Sequence, residues 1–179
     1  TDLNGVADGI CKKLIYRHPH VFGDVTVTGS GEVLANWDEL KKKEKHQTTA
    51  ADSVDAVARS LPGLWRAEKI QKKAAKVGFD WDGVDGAMEK LREETGELET
   101  AIAEGSNVSE ELGDLLFAAV NVARFVKTDP EAALSAACDK FARRFRAVEE
   151  AAAAQGKDLS AMTLAEMDAL WDAVKAQEA

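Results

Sequence analysis

Two acidic clusters separated by a turn lie between Lys90 and Asp114, in KLREETGELETAIAEGSNVSEELGD. Glu94 and Glu97 are three residues apart and would share one face of a helix, as would Glu111 and Asp114 on the helix that follows. Four carboxylates can then converge. Oxygen ligands without thiol or imidazole suit hard divalent cations, Mg²⁺ or Mn²⁺ ahead of zinc or copper. A di-iron bundle is the nearest competitor, but it adds a Glu-x-x-His pair on each of two helices, and no His follows His46. On charge count alone, Glu93, Glu94, Glu97, Glu110, Glu111 and Asp114 could equally form an ordinary solvated face.

Basic and aromatic residues supply the complementary chemistry. Lys90 precedes Glu94 by one turn, Lys140 and Arg144 are one turn apart, and so are Trp171 and Lys175. Each has a plainer reading, the cations as exposed side chains and Trp171 as a packing residue. Together they specify more. Carboxylates to hold a metal, cations to hold phosphate oxygens and an aromatic to flank a base are the parts of a metal-dependent nucleoside triphosphate site.

Helices must position these residues. Val84, Met88, Leu91, Leu98 and Ile102 on one acidic helix, and Leu112, Leu115, Leu116, Ala119 and Val122 on the other, predict that the two pack together. A helix from Gly63 to Val77 should stop at Gly78, a C′ glycine. Asp82 can cap the first acidic helix, which ends near Gly105. Asn107 with Glu110 resembles a capping box for the second, which runs to about Lys127. Asp129-Pro130 begins a third helix that ends before Gly156, and Thr163 with Glu166 is a capping-box pattern for a last one to about Gln177. Five helices joined by short turns make a compact bundle.

Upstream, residues 1–16 carry amphipathic helical spacing in Leu3, Val6, Ile10, Leu14 and Ile15. His18 and His20 flank Pro19 and lack the three or four convergent ligands that zinc needs; His46 stands alone. Val25 to Thr28 alternates like a short strand, and Val33 to Lys45 reads as a helix capped by Ser30. The run Lys41 to Lys45 reads as a solvated face rather than a phosphate site. His46 to Ser60 reads as a linker with one short helix, placing a boundary near Leu61-Pro62.

Composition bounds the class. The chain has 179 residues, 45% hydrophobic and 31% charged with 3 Pro, a helix-former's composition that predicts an all-α fold. A net charge of −9 argues against general affinity for nucleic acid. Cys11 and Cys138 have neither metal-ligand spacing nor a nearby partner, which suits a reducing compartment. With no leader and no long apolar run, a soluble cytoplasmic protein without a membrane partner is expected.

From Leu64 onward the chain resembles the MazG family of nucleoside triphosphate pyrophosphohydrolases. The resemblance is carried by LWRAEKIQKKAAKVGFDW, EETGE, EELGDLLFAAVNVAR and DKFARRF, in that order. Residues 62–179 would be a complete catalytic MazG domain. Residues 1–61 resemble the tail of a first MazG repeat plus a linker, in KLIYRHPHVFGDV and NWDELKKKEK. The acidic quartet of that first repeat would lie upstream of Thr1, so one complete acidic site is expected rather than two.

The resemblance implies metal ligands at Glu94, Glu97, Glu111 and Asp114, with Glu93 in a supporting or water-activating role and Glu93 or Glu97 as the base. It implies phosphate and nucleotide contacts at Lys90, Lys140, Arg144, Trp171 and Lys175. Arg143 is a neighbour of these, and Asn121 lies on the Asp114 stripe, where an amide could reach a base or sugar; packing is the alternative role for both. It further implies an all-α homodimer with each site completed near the subunit interface. The implied activity is Mg²⁺-dependent hydrolysis of nucleoside triphosphates to the monophosphate and pyrophosphate, with broad specificity and a role in nucleotide-pool housekeeping or stress response. Two alternatives stand beside it: a helical interaction or regulatory module without turnover, and a pyrophosphohydrolase for a specialised nucleotide such as phosphoribosyl-ATP.

Overall fold

A computed structural model of the chain describes residues 2–25, 29, 32–33, 36–37, 40 and 49–178, and their regular structure is helical throughout. The strand expected at Val25 to Thr28, the helix expected from Val33 to Lys45, the Lys41 to Lys45 run and His46 fall wholly or largely outside the described residues. The chain divides into two compact units, Thr1–Ser60 with Lys69–Asp80, and Leu61–Glu68 with Trp81–Ala179.

In the first unit, α1 (Leu3–Arg17) starts at Asp2, whose Oδ1 accepts from the Gly5 amide at 2.8 Å. The His18 ring donates from Nδ1 to the Leu14 carbonyl at 2.8 Å, closing α1 before Pro19 opens the short α2 (Pro19–Phe22). Arg17 is buried, its guanidinium 5.4 Å from the Trp37 ring centre. Leu3, Val6, Ile10 and Leu14, the expected apolar face of α1, are exposed. The short helix expected after His46 is α3 (Ala50–Asp55), opened by a Thr49–Asp52 capping box.

Helix α4 (Gly63–Ala75) begins in the second unit and ends in the first. Its stop is the one the spacing predicts. Gly78 takes φ +85°, and the amides of Gly78 and Phe79 return to the carbonyls of Ala75 and Ala74 at 3.0 and 3.2 Å, a Schellman closure that favours glycine.

The second unit also holds α5 (Val84–Glu104), α6 (Val108–Phe125), α7 (Pro130–Ala154), a 3₁₀ turn (Leu159–Ala161) and α8 (Leu164–Gln177). Two caps differ from expectation. Gly83, not Asp82, is the N-cap of α5 and offers no side chain, so Asp82 stands one residue too far out. Asn107 does occupy the N-cap of α6, but at φ 52° its side chain makes no cap bond, because capping needs an extended backbone at that position. The other two starts form as read. Asp129 accepts from the Ala132 amide at 3.0 Å and from Trp65 Nε1 at 2.9 Å, tying the first turns of α4 to the start of α7. Thr163 and Glu166 complete both halves of their capping box, and Lys157 adds a 2.7 Å ion pair to the Glu166 carboxylate.

Helix α5 packs along α6, and α7 along α8. The buried apolar positions of these helices are small: Ala87 and Ala101 on α5, Ala118 and Val120 on α6, Val148 and Ala152 on α7, Val174 on α8. Ile102, Leu112 and Leu116, expected between the acidic helices, are instead 61%, 45% and 49% exposed. The apolar stripe of α6 is wider than one neighbouring helix can cover. Among the described residues, no helix is long and apolar enough to cross a membrane.

Candidate active site

Of the four carboxylates whose spacing on α5 and α6 predicts convergence, three come together. One carboxylate oxygen from each of Glu94, Glu111 and Asp114 lies within 4.8 Å of the other two. Glu94 is buried, Glu111 half-buried and Asp114 exposed, so the cluster opens to solvent on the Asp114 side. Two oxygens on opposite sides of a Mg²⁺ ion stand about 4.2 Å apart, since each bond is about 2.1 Å. Neighbouring oxygens on such an ion stand about 3.0 Å apart, so carboxylates within 4.8 Å of one another would draw closer to share it, and the all-oxygen donor set suits a hard cation.

The buried member of the cluster already carries a positive partner. Lys90 Nζ lies 2.7 Å from both Glu93 and Glu94, and these hydrogen bonds hold its ammonium well above the usual lysine range. Glu97 is not among the three clustered ligands. Its carboxyl hydrogen-bonds Glu94, and that contact, more than desolvation, pushes it above the ordinary carboxylate value. Glu93 is exposed and directed to Lys90.

A second group forms on α7 and α8. Arg143 donates from Nε and Nη2 to Glu178 Oε1 at 3.2 and 3.1 Å, and Arg144 from Nε to Glu178 Oε2 at 2.7 Å. Both guanidiniums hold the Glu178 carboxyl below its ordinary range. The Arg144 guanidinium stands 6.0 Å from the Trp171 ring centre, and Trp171 meets Phe141 at 5.1 Å. Phe141 in turn stacks on Phe145 at 6.0 Å. Lys175 pairs loosely with Asp172 at 3.6 Å, whereas Lys140 makes no ion pair among the described residues. Asn121 accepts through Oδ1 from Arg124 Nε and Nη2 at 3.1 and 2.6 Å, which leaves its amide nitrogen as the group it can offer a ligand.

The structure therefore gathers the candidate residues into two sets: Lys90, Glu93, Glu94, Glu97, Glu111 and Asp114, and Arg143, Arg144 and Trp171. Among the described residues, no hydrogen bond, ion pair or ring contact links them. Sequence reasoning missed Glu178 and Phe141. Phe141 and Phe145 carried a signal, being four apart in DKFARRF; Glu178 carried none, since its partners lie 34 and 35 residues away.

Residues 83–149 match the MazG nucleotide pyrophosphohydrolase domain, a stretch that contains the whole acidic set and the arginine pair. The nucleoside triphosphate pyrophosphohydrolase of Escherichia coli is 44% identical over 99% of this chain and 69% of its own length. The Thermotoga maritima nucleoside triphosphate pyrophosphohydrolase/pyrophosphatase MazG is 38% identical over 92% of the chain and 62% of its own. The uncharacterized protein YabN of Bacillus subtilis is 48% identical over 98% of the chain but only 36% of its own length. With helices that gather the acidic spacing into one cluster and an identity carried along nearly its full length, the chain belongs to the MazG family of nucleoside triphosphate pyrophosphohydrolases.

Proposed function

We propose that this chain hydrolyses nucleoside triphosphates to the monophosphate and pyrophosphate, with broad specificity, in the cytoplasm. The observation that carries the reading is the three-carboxylate cluster, open at Asp114, in the same unit as a cation and aromatic group on α7 and α8.

Glu94, Glu97, Glu111 and Asp114 would hold Mg²⁺, with Mn²⁺ as a substitute. When bound, the ion offsets phosphate charge and makes a bound water more acidic. Glu93 or Glu97 is the base that accepts the water's proton, Glu93 being tied to the Lys90 ammonium. Lys90, Lys140, Arg144 and Lys175 neutralise the triphosphate and the leaving pyrophosphate. Trp171 flanks the base, and the amide nitrogen of Asn121 is free to donate to base or sugar.

A homodimer is part of the reading. Leu112 and Leu116, one turn apart on α6, are exposed, and a second copy of the chain would cover them. The net charge of −9 fits a protein with no nucleic-acid partner.

The test is an assay with Mg²⁺ and a panel of triphosphates that separates pyrophosphate from orthophosphate. Pyrophosphate release across the panel is expected. Orthophosphate alone would overturn the reading, and turnover confined to phosphoribosyl-ATP would narrow it to a specialised nucleotide. Metal-independent binding of a protein partner without turnover would favour a regulatory module.

A further inference from the structure

We propose that Glu178 is a positioning residue for the triphosphate site. It holds Arg144 by one nitrogen, so that the outer edge of that guanidinium meets phosphate, and it withdraws the neighbouring Arg143 from the task. The inference rests on the triphosphate reading above.

A guanidinium can grip an oxyanion in two bidentate ways, through its Nε–Nη2 side or through its Nη1–Nη2 end. Glu178, at the C-cap of α8, uses these edges unequally. Its Oε1 occupies both Nε and Nη2 of Arg143, which fills that residue's side edge. From Arg144 its Oε2 takes Nε alone, and among the described residues Nη1 and Nη2 of Arg144 have no partner.

The surroundings differ in the same sense. The Arg144 side chain is 19% exposed, near the Trp171 ring, whereas that of Arg143 is 63% exposed. Arg144 is thus held in one orientation before any ligand arrives, and the entropy of fixing it is not charged to substrate binding. One carboxylate between two guanidiniums leaves a net positive charge, so the pair still attracts phosphate. A carboxylate that merely competed with phosphate would cover the end of Arg144, and this one does not.

Steady-state kinetics on the full chain tests the assignment. Glu178→Ala should raise KM for the triphosphate about 3- to 10-fold, with kcat within about 2-fold of the parent. Glu178→Gln, which keeps an acceptor, should recover part of the loss. In an Arg144→Ala background the Glu178→Ala change should no longer raise KM, because the positioning passes through Arg144. A lower KM in Glu178→Ala would mean that Glu178 competes with phosphate. An unchanged KM, or an equal effect with and without Arg144, would mean a simple brace of α8. Any of these results overturns the assignment. Failure of the parent chain to release pyrophosphate is a separate outcome, which removes the triphosphate reading and this inference together.

Discussion

On α5 and α6 the charges that matter are neighbours in sequence, Glu94 beside Glu97 and Glu111 beside Asp114, whereas on α7 and α8 Arg143 and Arg144 reach Glu178 across 35 and 34 residues. The acidic half concentrates like charges, with Lys90 as its internal counterion. The cationic half brings its own carboxylate and an aromatic pair. The first would therefore gain from an added cation; the second already pairs its guanidiniums with a carboxylate and would gain from order. Helical periodicity alone produces the former, while tertiary packing is needed for the latter.

The sharpest way to break this contrast is Glu111→Gln. Pyrophosphate release should fall at least about 100-fold, the scale of losing one group that stabilises transition-state charge. Thermal melting without metal should hold or rise, since one of three carboxylates within 4.8 Å loses its charge. Parent-level turnover, or a large drop in melting temperature, would make the acidic half a structural cluster.

Trp171→Ala should behave in the opposite way. Loss of base stacking, about 1–3 kcal/mol, should raise KM, and melting should fall because Phe141 loses the ring it packs on. Kinetics and a melting curve on one sample check both. The smallest effect concerns the start of α8. Hydrogen bonds from Lys157 and Thr163 lower the Glu166 carboxyl from 4.5 to about 2. Its contribution to stability is thus present above about pH 4.5 and lost as pH falls toward 2. Melting followed across that window should show a slope that Glu166→Gln flattens; an unchanged slope would mean that the contact contributes nothing.

Legibility followed the same division. Gly78, Asp129-Pro130 and the Thr163–Glu166 box act within a few residues and were readable, as was the all-α architecture. Asp82 and Asn107 had suitable side chains, but capping depends on backbone angles that residue type does not report: Asn107 is left-handed, and Gly83 takes the position meant for Asp82. Ile102, Leu112 and Leu116 carry helical apolar spacing and yet are exposed, because periodicity gives the direction of a face without the width of what covers it. Of the proposed site, the clustering of Glu94, Glu111 and Asp114 followed from spacing. The tie between Arg144 and Glu178 could not, since nothing local relates α7 to the end of α8.

Asp129 serves two structures with one carboxylate, the first turn of α7 and the Trp65 indole. Release of either should weaken the hold on the other. Fraying of α7 at its start and undocking of the Trp65 ring should therefore occur as one cooperative opening, a small folding unit with a shared rate, instead of two independent fluctuations.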